Sequence, residues 1–173
     1  MKDAIVFVGD SHTEFGQWSE LLGVPVVNRG VAGDTTAQVL ERLDGVTRLR
    51  PKIVFLMVGI NDSILEGGEQ STVASYREIL RRLRTECPEA VIYAQSVLPV
   101  GPPFEGVNAW VRRVNREIAG MADGKAVIYV DMFDDFLAHG VLNPQYEVGD
   151  GVHLNGEGYQ VWKSRIKGLV PAK

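Results

Sequence analysis

Apolar and polar positions alternate along the chain in two textures. Ala4 to Val8 and Ile53 to Val58 are unbroken apolar runs, and shorter ones recur at Val26-Val27, Ala90 to Ala94 and Ala126 to Val130. Short β-branched runs without polar alternation are what strands covered on both faces look like, so these five segments are predicted strands. Between them the apolar residues fall at helical spacing. Val39, Leu40, Leu43, Val46 and Leu49 predict one helix, opened by Asp34-Thr35-Thr36 as a cap and stopped by Pro51. Val73, Tyr76, Ile79, Leu80 and Leu83 predict another ahead of Pro88, with Arg77, Arg81, Arg82 and Arg84 as its solvated face. Val107 to Met121 and Tyr159 to Leu169 predict two more. Val97 to Glu105 and Gly140 to Gly151 carry too much Pro, Gly or Asn for helix. Strand alternating with helix predicts an α/β fold, a parallel sheet covered on both sides through right-handed crossovers.

Composition narrows the function classes. At 173 residues the expectation is one domain spanning the chain, and 45% hydrophobic with 23% charged residues is ordinary for a soluble globular protein. Eighteen Lys and Arg against 22 Asp and Glu give a net charge of −4, with no basic run interleaved with aromatics, so no nucleic-acid partner is expected. No apolar stretch approaches the roughly 18 residues of a membrane span. Ala4 to Val8 is shorter than the roughly 7 to 15 apolar residues of a signal peptide, so a cytoplasmic location is expected. Cys87 is the only cysteine, which excludes an internal disulfide; it reads as a helix-end, semi-buried thiol rather than a nucleophile.

In open parallel sheets ligands bind beyond the carboxyl ends of the strands, so the residues following each run carry the candidate chemistry. Gly9-Asp10-Ser11-His12 follows the first run, Asn28 to Thr35 the second and Gly59-Ile60-Asn61-Asp62 the third. If the first three strands are neighbours in a 2-1-3 order, Ser11, Gly33 and Asn61 converge. A serine hydroxyl needs a base to become a nucleophile, and three histidines are available. His12 adjoins Ser11 and reads as a neighbour of the site. His139 reads as a helix-end residue favoured by the dipole. His153 follows Asp150 by three residues in a Gly-rich loop, where the carboxylate can hold one ring nitrogen and leave the other for substrate. The Asn61 amide and backbone N–H groups near Ser11 and Gly33 are suited to a tetrahedral oxyanion.

These blocks, Gly9-Asp10-Ser11, Gly33 within Asn28 to Thr35, Gly59-Ile60-Asn61-Asp62 and Asp150-Gly151-Val152-His153, resemble in the same order the four blocks of the SGNH (GDSL-type) hydrolases. The resemblance spans Gly9 to His153. It implies a three-layer α/β/α flavodoxin-like fold with a five-stranded parallel sheet, Ser11 as nucleophile, Asp150 and His153 completing a triad, and Ser11, Gly33 and Asn61 forming the oxyanion hole. It also implies cofactor-independent hydrolysis of a small-molecule ester. The run from Asn28 to Thr36 is most similar to the branch holding platelet-activating-factor acetylhydrolase-like subunits and small bacterial acylesterases, which implies a short acyl group such as acetyl. His12 departs from the Leu or Ile usual there.

Other readings accompany these residues. Ser11 also reads as a helix N-cap. Thioesterase or lysophospholipase activity belongs to the same family resemblance. A different class, a non-catalytic flavodoxin-like module binding Mg²⁺ or phosphate, would use Asp10, Asp62 and Asp131 as an acidic pocket. Asp150 with His153 is also half of a metal site, but no second histidine is suitably spaced, and no metal is expected. Trp18, Phe104 and Trp110 read equally as substrate mouth or as packing. The segment Gly30 to Asp34 lacks the Gly-Lys-Ser/Thr of a phosphate loop, and Thr13 stands where a nucleophile elbow needs glycine.

Overall fold

The five apolar runs pair side by side in the computed structural model, which describes residues 4–65 and 68–171. They are β1 (Ile5–Gly9), β2 (Val26–Gly30), β3 (Ile53–Met57), β4 (Val91–Gln95) and β5 (Val127–Val130). All neighbours are parallel, in the order β2-β1-β3-β4-β5, so the expected 2-1-3 arrangement is present. A two-stranded hairpin, β6 (Leu137–Ala138) and β7 (Val141–Leu142), lies outside the sheet.

Alternate residues of each strand face opposite layers, because successive side chains of a strand point to opposite sides. Val6, Val8, Val54, Leu56, Ile92 and Ala94 meet one core. Its other half comes from α3 (Thr36–Glu41), α6 (Glu69–Glu86) and α7 (Asn108–Gly120), through residues such as Val39, Tyr76, Leu83 and Val114. Ile5, Phe7, Phe55 and Met57 meet the opposite core, closed by α2 (Trp18–Leu22) and α8 (Gly156–Ile166) through Trp18, Trp162 and Ile166. The result is the α/β/α sandwich with a five-stranded parallel sheet.

Trp18 belongs to this second core. It stacks on Phe7 at 4.3 Å, Phe7 on Phe55 at 4.6 Å, and Phe55 on Tyr93 at 4.9 Å, forming an aromatic row across three adjacent strands. Trp162 meets Trp18 edge-on and donates its indole N–H to the buried Gln95 Oε1 at 2.7 Å. Phe104 and Trp110 are half-buried against the first core.

The structure departs from the sequence pattern in several places. The run from Val39 to Leu49 is two short helices, α3 and α4 (Asp44–Thr47), rather than one. The break falls at Arg42, whose side chain is drawn back to the strand ends, and the following turns use shorter i→i+3 bonds. His139 is not at a helix end. It and Gly140 both have positive φ and form the exposed tip of the β6-β7 hairpin, a turn that matches the twist of the paired strands. Three brief helices, α1 (Ser11–Glu14), α2 and α5 (Ile60–Ile64), were absent from the pattern because one turn carries too few apolar positions to show a period. Cys87 caps the carboxyl end of α6, as its flanks suggested, and is buried rather than semi-buried.

Trp162→Phe keeps most of the ring but removes the donor that satisfies Gln95. Urea unfolding of this variant is expected to show about 1–3 kcal/mol less stability; an unchanged midpoint would mean that Gln95 finds another donor.

Candidate active site

Three strand ends and one terminal loop meet at the carboxyl edge of the sheet. Gly9 closes β1 where a side chain has no room, since a Cβ there would lie 2.1 Å from the Met57 carbonyl oxygen and 2.3 Å from Thr13 Oγ1. The chain can therefore turn directly from β1 into α1. Asp10, not Ser11, is the N-cap of that helix: its Oδ1 accepts the His12 backbone N–H at 3.0 Å. Ser11 is thus left as the first helical residue with its hydroxyl free for other work, and its backbone N–H is among those a helix start leaves without an intrahelical partner.

The Ser11 hydroxyl lies 3.0 Å from His153 Nε2, and His153 Nδ1 lies 2.6 Å from Asp150 Oδ2. An ionised carboxylate only accepts, so Nδ1 carries the proton and the Nε2 lone pair faces the Ser11 hydroxyl. Asp150 is itself oriented, because its Oδ1 accepts the backbone N–H groups of Val152 at 2.9 Å and His153 at 2.8 Å. Partial burial pushes its pKa upward, but those N–H bonds and the His153 ring outweigh it and hold the carboxyl down at about 2. The loop is braced from below by Glu147, whose Oε2 accepts from Gly149 N–H and Gly151 N–H. Gly151 has φ +76° and packs on backbone, a Cβ there falling 2.2 Å from the Pro102 carbonyl oxygen.

Gly33 and Asn61 occupy the two flanking strand ends. Gly33 has φ +86°, is exposed, and its N–H has no protein acceptor among the described residues. Asn61 is the second residue of α5, just after β3, and donates one Nδ2–H to the Asp34 carbonyl at 2.9 Å, which leaves its second N–H for a ligand. That single bond ties the third strand end to the residue after Gly33.

Residues beyond the sequence reading hold these loops in place. Arg42 donates to Asp34 Oδ2 at 2.5 Å, to the Arg29 carbonyl at 2.9 Å and to the Gly9 carbonyl at 3.0 Å, joining the ends of β1 and β2 with one guanidinium. Glu14 Oε2 accepts the Ala32 N–H at 2.6 Å. Asp62 accepts from Thr36 N–H at 2.9 Å, Thr36 Oγ1 at 2.6 Å and Thr72 Oγ1 at 3.2 Å, with burial raising its pKa. Nothing in the sequence marks these roles, since each partner is 10 or more residues away except for Asp34, eight residues before Arg42.

The acidic-pocket reading does not match this arrangement. Asp10 caps α1, Asp62 braces the second and third loops, and Asp131 lines a separate 260 Å³ cavity with Arg112, Asn115 and Tyr129 at edge strand β5. Among the described residues no group of three or more His, Cys, Asp or Glu side chains is placed to hold a metal ion. No helix among them is long and apolar enough to cross a membrane. The site opens to solvent, with the His153 side chain 33% exposed and Phe15, itself exposed, 5.6 Å from its ring.

Residues 7–161 match the GDSL-like lipase/acylhydrolase family. The human platelet-activating factor acetylhydrolase IB subunit alpha2 is 28% identical over 166 residues, covering 90% of this chain and 70% of its own. A GDSL-like lipase from Bacteroides thetaiotaomicron superposes with a TM-score of 0.82 at 26% identity, covering 96% of this chain and 87% of its own. An acetyl xylan esterase variant from Geobacillus stearothermophilus shares the fold, with a TM-score of 0.82 at 18% identity over 99% of this chain and 97% of its own.

The depressed pKa of Asp150 predicts a pH dependence of stability. A carboxyl held below its unfolded value stabilises the fold above that value, 3.8, and ceases to do so as the pH falls through about 2. Circular dichroism melts from pH 5 to about 2 should show the wild type losing stability more steeply than Asp150→Asn, in which this group no longer titrates.

Proposed function

The chain belongs to the GDSL-like lipase/acylhydrolase family and is an ester hydrolase, and from that premise we propose that Ser11 cleaves short-chain carboxylic esters through an acyl-enzyme. The observation that carries this reading is the continuous chain Ser11 Oγ, His153 Nε2, His153 Nδ1, Asp150 Oδ2, with contacts of 3.0 and 2.6 Å. His153 accepts the Ser11 proton as Oγ bonds to the ester carbonyl carbon. The carbonyl oxygen becomes an oxyanion that receives N–H from Ser11, Gly33 and the Asn61 amide. Collapse expels the alcohol, which takes the proton from His153. Water then repeats the attack on the acyl-enzyme, giving its proton to His153, and the acid leaves as Ser11 regains it. Asp150 stays ionised throughout and stabilises the imidazolium as it forms.

The acyl preference rests on the similarity to an acetylhydrolase and an acetyl xylan esterase and on the open site, where the His153 side chain is 33% exposed. A fluorophosphonate should label Ser11 with one-to-one stoichiometry, located by peptide mass. With p-nitrophenyl esters from acetate to decanoate, kcat/KM should fall as the chain lengthens. Flat or rising efficiency would instead favour a long-acyl lipase or lysophospholipase.

Asn61 contacts charge that exists only in the transition state. Asn61→Ala is expected to lower kcat by about 10² to 10³ with little change in KM. A variant with normal kcat and raised KM would assign Asn61 to substrate binding instead.

A further inference from the structure

Directly beneath the Ser11–His153 contact lies a second histidine that the hydrolytic scheme leaves unused. His12 is 2% exposed and Asp10 beside it 1%. The His12 ring stands between two parts of the site that are 140 residues apart: Nε2 is 2.8 Å from the Val152 carbonyl, and Nδ1 is 3.4 Å from Asp10 Oδ1. The tautomer follows from the partners. A carbonyl only accepts, so Nε2 carries a hydrogen. A neutral ring would then leave the bare Nδ1 3.4 Å from a carboxylate oxygen, two acceptors side by side in a buried site. Nδ1 makes no hydrogen bond among the described residues, so the charge contact with Asp10 is what answers it there. A proton on Nδ1 removes that conflict and gives Asp10 an ion-pair contact.

We propose that His12 is a positioning residue held as a buried imidazolium, clamping the helix that bears Ser11 to the loop that bears Asp150 and His153. The clamp has a direct line of action. Val152, whose carbonyl it holds, immediately precedes His153, and the Val152 N–H is one of the two that orient Asp150. Asp10 fixes the other side, since the same Oδ1 that faces Nδ1 caps α1 through the His12 N–H. Tyr159 of α8 closes the arrangement by donating its hydroxyl to the His12 carbonyl at 2.8 Å. A misplacement of the base by about 1 Å is enough to cost about 10²-fold in rate, so a rigid link between nucleophile and base carries kinetic weight.

The charged and titratable groups facing His12 are Asp10 on its own segment, Asp150 and His153 on the terminal loop, the latter ring 5.8 Å away, and Tyr159 on α8. Burial works against its charge, but Asp10, the Val152 carbonyl and Asp150 outweigh it and raise its pKa above the ordinary 6.5. A raised histidine stabilises the fold fully below its unfolded value and stops doing so as the pH rises through the folded one. Loss of the Nδ1 proton on the alkaline side therefore ends the Asp10 contact and leaves the Nε2–H bond to the Val152 carbonyl in place.

The proposal rests on the assignment of His153 as base, and its test separates the two. In protein carrying ¹⁵N-histidine, the His12 ring, identified by its absence from His12→Gln, should show both nitrogens protonated at pH 7; a bare Nδ1 would overturn the proposal. His12→Leu should lower kcat about 10-fold to 100-fold with KM within about twofold. His12→Gln, whose amide can still donate to Val152 O, should recover most of that loss. A folded His12→Leu with wild-type kcat, or a His12→Gln no better than Leu, would also overturn it. If His12→Leu does not fold, the ring-nitrogen measurement on the wild type decides alone. Failure of fluorophosphonate labelling at Ser11 would sink the hydrolytic reading while leaving the His12 resonances as they are.

Discussion

Parallel pairing of β1 with both β2 and β3 is the constraint on which the site depends. In register, Gly9 lies opposite Gly30 on one side and Met57 on the other, so the three strands end at one level. Along β1 and β3 both faces are buried in apolar cores, which leaves no place for a charged or hydrogen-bonding side chain within them. Polar chemistry begins where the pairing stops. The same pairing that buries Val6 and Phe7 therefore delivers Ser11, Gly33 and Asn61 to a common edge.

Strand ends supply proximity, but loops need further bonds to hold a geometry. Backbone groups in irregular segments have no ladder to satisfy them, and here side chains take that part. Arg42 serves two carbonyls and a carboxylate, Asp62 two threonines, Glu147 two glycine N–H groups, and Asn61 the Asp34 carbonyl. The Glu147 bonds brace the terminal loop from within, while those of Arg42, Asp62 and Asn61 join separate segments, so the strand-end loops are stiffened against one another. Under the proposed mechanism, preorganisation of this kind keeps the oxyanion donors in position without reorganisation during the reaction.

Asp150 and His153 show how a short turn directs an imidazole. A spacing of three residues lets one carboxylate accept two backbone N–H groups and the imidazole N–H together. The ring is thereby fixed in tautomer and orientation before any substrate arrives. Its exposure on the open side leaves room for a small ester, while the floor beneath it is the buried pair of His12 and Asp10.

Hydrophobic texture alone determined the sheet and the longer helices, because burial on both faces of a parallel sheet writes itself as unbroken apolar runs and a half-buried helix as a 3.6-residue period. The positions of Ser11, Gly33, Asn61, Asp150 and His153 were legible for a related reason, since they follow strand ends or sit within a short local turn. Elements of one turn, such as α1 and α5, fell below the length at which a period exists, and the His139 turn was masked by an adjoining apolar segment. Arg42, Asp62 and the His12 contact to Val152 were decided only by the tertiary structure. Their partners lie 8 to 140 residues away, and a hydrogen bond between distant segments leaves no periodic trace in either one.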